Sequence, residues 1–185
     1  MSAFLFALVA VIAVSLGGRD QMLVARLAER LGRGGPLLAV GVLSSIASAF
    51  AMAAAGLTLT LILPGPAADM LVALALLIAA VELAWPRAAT LPEEPTQSLA
   101  AIFIVLAARQ VGDAARFLVL ALAAGGPAWL AGAGGATGGI VALCLGIAMG
   151  DEIRDWPLRL IRRVMAAVLA IVALVIGLAS RGIIG

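Results

Sequence analysis

Two short polar interruptions lie inside otherwise apolar segments, and they repeat each other. The first is Leu16-Gly17-Gly18-Arg19-Asp20-Gln21 and the second is Val111-Gly112-Asp113-Ala114-Ala115-Arg116. At a constant offset of 95 residues Gly17 matches Gly112, Leu23 matches Leu118, Val24 matches Val119, Leu27 matches Leu122 and Ala28 matches Ala123. Ionisable groups at membrane depth are costly and are usually kept for a reason. A repeat that places them twice points to a transporter built from two related halves.

The membrane setting follows from composition. The 185 residues are 64% hydrophobic and 12% charged, with a mean hydropathy of +1.20. Ordinary soluble domains carry roughly 25% charged residues, so a soluble fold of this chain would have too little polar surface to show water. The net charge of +2 comes with no histidine, and every basic residue is arginine. These arginines are not interleaved with aromatics, which argues against nucleic acid and for topology and lipid contact. The absence of histidine removes histidine-ligated metals and histidine proton relays. The single cysteine, Cys144, lies in an apolar run and reads as a small buried hydrophobe. Met1 to Leu16 has no positive leading region and no clear cleavage site, so it reads as the first spanning helix and not as a signal peptide.

Six segments approach the roughly 20 residues a bilayer requires: about 3–28, 36–63, 68–85, 99–124, 128–149 and 158–179. Pro64-Gly65-Pro66 breaks the second sharply, and Gly125-Gly126-Pro127 ends the fourth. The expected fold is therefore an all-α membrane protein with six transmembrane helices in two three-helix repeats. Residues 1–86 form the first repeat, 87–98 a polar linker and 99–185 the second repeat. Arg26, Arg30 and Arg33 fall after the first segment, Arg87 after the third, and Arg154, Arg159, Arg162 and Arg163 around the start of the sixth. By the positive-inside rule these connections, the linker included, are cytoplasmic and both termini face the other side. Three crossings per half make the second repeat inverted relative to the first. The expected location is a cell (inner) membrane.

The glycines of the fifth segment, among them Gly132, Gly134, Gly138 and Gly139, would let helix backbones approach closely. Ser44, Ser45 and Ser48 fall at near-helical spacing, and either line a polar path or hydrogen-bond across helices or to their own backbone.

A cation carrier needs oxygen ligands at the midplane, with carboxylates preferred by hard divalent ions. Proton coupling needs a carboxylate that also takes up a proton. The candidates are Asp113, deep within its segment, Asp20, which neighbours Arg19, Glu82, read as interfacial, and Asp69, read as a helix cap after the Pro-Gly-Pro turn. Arg109, Asp113 and Arg116 follow i, i+4, i+7 spacing, on one face of a continuous helix. Together with Arg19 they are ion-pair candidates, because an arginine beside a carboxylate occupies its oxygens. No nucleophile–base pair or metal-enzyme motif is present, so the chain is not expected to be an enzyme.

At these interruptions the chain resembles the transmembrane protein 165 (Gdt-type) family of small membrane cation/proton exchangers, whose halves each carry Glu-x-Gly-Asp-(Lys/Arg)-(Ser/Thr). In the first copy Gly17 and Arg19 match, while Ser15 stands at the Glu position, Gly18 at the Asp position and Asp20 at the Ser/Thr position. In the second copy Gly112 and Asp113 match, and Gln110 stands at the Glu position. Trp156-Pro157-Leu158-Arg159-Leu160-Ile161-Arg162-Arg163-Val164 resembles the family's entry to its last helix. The resemblance implies six helices in two inverted halves and exchange of Mn2+ or Ca2+ against protons. It implies an ion site at Asp113, Gln110, Ser15, Asp20, Gly17 and Gly112, with Asp113 and Asp20 as metal ligands and no resident cofactor. The bilayer, divalent cations and protons are the expected partners, beside a homodimer or a related membrane protein. The alternatives are a transport-inactive structural or regulatory subunit, and a carrier of an anionic or amino-acid substrate that uses the extra arginines.

Overall fold

The structure, a computed structural model, describes residues 1–31, 34–85, 98–149 and 156–183. It is all-helical there, in the order α1 Ser2–Ser15, α2 Arg19–Leu31, α3 Gly34–Ile62, α4 Gly65–Ala84, α5 Leu99–Val111, α6 Ala114–Ala124, α7 Ala128–Met149 and α8 Leu158–Ser180. The expected linker 87–98 falls almost wholly outside the described residues, as do Arg33, Arg87 and Arg154.

Four helices, α3, α4, α7 and α8, are long and apolar enough to cross a membrane; a fifth span results if α1 and α2 count as one. The first and fourth expected segments are not single rods. Ser2–Ser15 and Arg19–Ala28 meet at 69°, and α5 and α6 are separate helices of 13 and 11 residues. Both breaks fall on the polar interruptions. At the first, Leu16 is extended and Gly17 takes a φ of +67°, a left-handed value that only glycine adopts at low cost. At the second, Gly112 has a φ of −89°, and Asp113 turns extended as the cap residue of α6. Elsewhere proline sets the boundaries: Pro64 caps α4, with Pro66 in its first turn, and Pro157 precedes α8. Asp69 is therefore not the expected cap: it lies exposed within α4, downstream of Pro64.

Corresponding helices of the two halves start 93 to 97 residues apart, with α2 and α6 separated by 95. Their packing also exchanges. α1 packs on α7 as α5 packs on α3, and α2 touches α7 as α6 touches α3. The pairs α4–α8 and α3–α7 close on themselves under that exchange. α6 alone adds an extensive contact, along α4.

Helix α7 is the hub, and its glycines make this possible. A Cβ at Gly134 or Gly138 would run into the α1 backbone at Phe4 and Leu8, and one at Gly135 into Val119 of α6. Without a water-driven hydrophobic effect inside a bilayer, such close backbone approach supplies dispersion contact in its place. Cys144 is free and half-buried on the same helix. α8 shows the opposite character: only Ala166 and Ala173 are buried, and Leu160, Val164, Ile171, Leu174 and Val175 are exposed. Apolar residues facing outward along a whole helix suit lipid contact.

Candidate functional site

The two breaks bring two pre-helical turns and two helix N-termini, those of α2 and α6, around a shared pair of cavities. The interrupted backbone is satisfied locally. Gly18 N–H donates to the Ser15 carbonyl at 2.9 Å, and Asp113 N–H to that of Gln110 at 3.0 Å. Gly17 N–H donates to Gln21 Oε1 at 2.8 Å. The Asp113 carbonyl accepts from Arg116 and Phe117 N–H, whereas its carboxylate makes no cap hydrogen bond.

The side chains of these turns then reach outward in two different ways. Arg19 donates to Glu82 Oε1 on α4 at 3.0 Å, and Arg162 on α8 lies 3.6 Å from Glu82 Oε2. Glu82, close to the end of α4, is nearly buried, with 9% of its side chain exposed. Arg162 belongs to α8, which starts at Leu158 as the sixth segment does. Arg19 hydrogen-bonds one oxygen of Glu82 and Arg162 stands at ion-pair distance from the other, which has no hydrogen-bond partner, so Glu82 links the first break to the α4–α8 pair. On the other side Asp20 lies 3.8 Å from Arg109 Nε, an ion pair between α2 and α5 that is too long for a hydrogen bond.

Arg116 behaves differently. Its residue is 3% exposed, and its Nε donates to Ser48 Oγ at 2.8 Å. Its Nη2 donates to Ser45 Oγ at 2.8 Å and to the Ser45 carbonyl at 3.3 Å, with Gln110 Oε1 at 3.5 Å. The network continues in one direction. Ser48 donates to Gln110 Oε1 at 2.7 Å, Gln110 Nε2 to Ser44 Oγ at 3.2 Å, and Ser44 to the Gly41 carbonyl at 3.0 Å. The three serines thus hydrogen-bond across helices and to their own backbone, and Ser45 also lines the small cavity beside Arg116. Gly139 leaves the room: a Cβ there would meet Ser45 Oγ and the Arg116 guanidinium. A buried charge is tolerated when hydrogen-bonded in this way.

Arg109, Asp113 and Arg116 do not share one helical face, because the helix carrying their spacing ends at Val111 and restarts at Ala114. Arg109 turns to Asp20, Arg116 to α3, and Asp113 stays between them.

Two cavities meet at this point. An outer chamber of about 220 Å³ is lined by Arg19, Asp20, Arg109, Gly112 and Asp113. An inner cavity of about 30 Å³ is lined by both carboxylates and by Ser15, Gly18, Gln110 and Arg116, among others. The inner one has room for roughly one or two waters or a bare ion, and no more. The predicted residues Ser15, Asp20, Gln110, Asp113, Arg19, Arg109, Arg116 and Gly112 thus converge. Gly17 shapes the first turn and lines neither cavity; a Cβ there would press on Leu158. The oxygen of Gln110 faces Ser48 and Arg116, which occupies it. Among the described residues there is no group of three His, Cys, Asp or Glu side chains that could hold a metal ion. A cation here would be held by two carboxylates and neutral oxygens.

One residue escaped the sequence reading. Gln21 is 2% exposed, donates to the Ala142 carbonyl of α7 at 2.7 Å and closes the first turn through Gly17. The 95-residue offset carries its signal, for it sets Gln21 against Arg116, the other side chain that crosses from a post-break helix to a long helix of the opposite half.

No family model, no curated protein and no solved structure matches the chain.

Proposed function

We propose that the chain is a multi-pass membrane carrier that exchanges a small cation, Mn2+ or Ca2+, against protons, with Asp113 and Asp20 as the groups that alternately hold them. One observation carries this reading: the same two carboxylates, one from each break, form the shared wall of the outer chamber and the inner cavity. An ion passing between the two must pass both. Hard divalent ions take carboxylate and neutral oxygens, and a carboxylate at such depth is also a proton carrier.

The exchange of helix contacts between halves supports a two-fold relation, and three crossings on each side would make it inverted, the arrangement of alternating-access carriers with broken helices at a midplane site. The inner cavity's size favours a bare ion over an amino acid. Glu82, held by two arginines, is a brace and not a ligand. With two carboxylates and no third, the site binds divalent ions weakly. The arginine-flanked connections remain the basis for a cytoplasmic face opposite the termini.

A second reading draws on charge. Arg19, Arg109, Arg116 and Arg162 outnumber Asp20, Glu82 and Asp113 by one, which favours a small anion in the same cavity.

Purified protein in liposomes with an imposed pH gradient separates the two. Mn2+ or Ca2+ uptake above empty vesicles, reduced about tenfold or more in Asp113→Asn, is the expected result. A folded wild-type chain that moves neither cation, but takes up a small anion in an Arg116-dependent way, would establish the second reading in its place.

A further inference from the structure

The three arginines of the breaks, and Arg162 of α8 beside them, are held with very different firmness. Arg116 is buried in a cage of neutral oxygens with bonds as short as 2.8 Å. Arg19 donates to Glu82 at 3.0 Å, and Arg162 approaches the other oxygen of the same carboxylate. Arg109 has only the 3.8 Å approach to Asp20 among its described interactions, and its side chain is 33% exposed against 15% for Asp20. A partly exposed ion pair without a hydrogen bond is worth little and breaks easily. It also spans a gap: α2 and α5 otherwise barely touch. Both partners line the outer chamber, and Asp20 lines the inner cavity as well, whereas Arg109 does not. The guanidinium therefore sits on the chamber side of a carboxylate that faces both.

We propose that Arg109 is an internal cation that the transported cation displaces from Asp20. Resting on the cation-carrier reading above, this gives the chain a built-in competitor at its site. An incoming cation reaches the Asp20 oxygens by releasing Arg109 into the chamber. The returning guanidinium helps expel the cation from Asp20 when it leaves. The device explains how a site with an excess of arginine would still accept a cation: withdrawal of the guanidinium offsets one of the two positive charges that enter. It also makes Arg109 a positioning residue, acting on the cation only through Asp20. Arg19 and Arg116 cannot serve, because each would have to abandon hydrogen bonds at 3.0 Å or shorter.

The test is the dependence of Mn2+ uptake rate on Mn2+ concentration in proteoliposomes, for wild type, Arg109→Gln, Arg109→Lys, Asp20→Asn and the Asp20→Asn/Arg109→Gln double variant. Removing the competitor should lower KM by about two- to fivefold, the range expected of a partly exposed ion pair. It should also lower the maximal rate, because release loses its helper. Arg109→Lys should stay near wild type. In the Asp20→Asn background, Arg109→Gln should leave KM unchanged, since the carboxylate it competes for is gone. A general loss of fold would lower the rate in Arg109→Gln without improving KM. Wild-type uptake with KM unchanged or raised in Arg109→Gln overturns the displacement role and leaves the carrier reading standing. A wild-type chain that moves no Mn2+ or Ca2+ overturns the carrier reading, and the displacement role with it.

Discussion

The two helix breaks share a place in the repeat and almost nothing else. Between Val14 and Gln21 on one side and Arg109 and Arg116 on the other, no position is charged in both copies. Val14 faces Arg109, Gly18 faces Asp113, Arg19 faces Ala114, Asp20 faces Ala115 and Gln21 faces Arg116 at the 95-residue offset. The first break is braced by ion pairs, to Glu82 on α4 and to Arg109 on α5. The second is braced by one buried guanidinium among serine hydroxyls and an amide of α3 and α5. Most of these contacts cross between halves: Asp20 to Arg109, Glu82 to Arg162, Arg116 to Ser45 and Ser48, Gln21 to Ala142. A duplicated site with identical charges would set like charges against each other across the pseudo-two-fold relation. Dividing the charges between the copies replaces that repulsion with complementary pairs, and leaves Asp113, without a hydrogen-bonded cap, as the carboxylate with the least to restrain it.

The largest effect that could break this comparison lies at the matched positions Arg116 and Gln21. Truncating Arg116 strips Ser45 and Gln110 of a donor, while Ser48 loses the bond it accepts. Arg116→Ala should cost about 3 kcal/mol, the upper end for loss of a hydrogen bond to a charged group. Gln21→Ala removes two neutral hydrogen bonds, to Ala142 and from Gly17, and should cost only about 1 kcal/mol, because hydrogen bonds inside membrane bundles average well under that each. Thermal unfolding in one detergent, with both variants beside wild type, measures the pair. Equal losses would mean that the charge division between the breaks has no energetic consequence.

A middle-sized effect tests the brace of the first break. Glu82→Gln keeps the shape but removes the charge shared by Arg19 and Arg162. It leaves two partly buried guanidinium groups facing a neutral amide, and a loss of about 2 kcal/mol is expected, within the range of hydrogen bonds to charged groups. Ser48→Ala at the second break should cost less, about 1 kcal/mol, since Arg116 retains Ser45 Oγ and the Ser45 carbonyl. Reversal of that order in the same unfolding measurement would show the neutral cage, and not the ion pairs, to be the firmer brace.

Much of this layout is legible in the sequence because it is local. The offset of 95 residues finds both breaks, and hydropathy finds the long apolar helices. The convergence of Asp20, Asp113, Ser15 and Gln110 at one cavity follows from treating the two motifs as equivalent. What the sequence hides is set by partners far along the chain. The neighbours of Glu82 do not reveal its partner Arg19, 63 residues away. Arg109, Asp113 and Arg116 read as one face because helical periodicity continues through Gly112 in the sequence, where the helix in fact ends. Asp69 reads as a cap because carboxylates usually cap better than proline, but Pro64 already has the extended backbone a cap requires.

The smallest effect is the sharpest comparison, because it makes the same substitution at matched glycines. Gly17 and Gly112 occupy equivalent positions, yet only one needs to be glycine. At Gly17 the φ of +67° places any Cβ against its own backbone, which costs roughly 1–2 kcal/mol. That Cβ would also lie 3.0 Å from Leu158 Cδ1. At Gly112 the φ of −89° suits any L-residue, and the nearest atom to an added Cβ is the Arg109 carbonyl oxygen at 3.8 Å, an ordinary contact. Gly17→Ala should therefore destabilise by about 1–2 kcal/mol, and Gly112→Ala should fall within about 0.5 kcal/mol of wild type. Gly112 also lines the outer chamber, so the added methyl narrows the approach to Asp113 without touching the fold. Unfolding of the two variants settles the first expectation, and uptake by the stable Gly112→Ala variant the second. Equal destabilisation at both glycines would mean that the two breaks share a backbone geometry after all, and that their difference lies in the side chains alone.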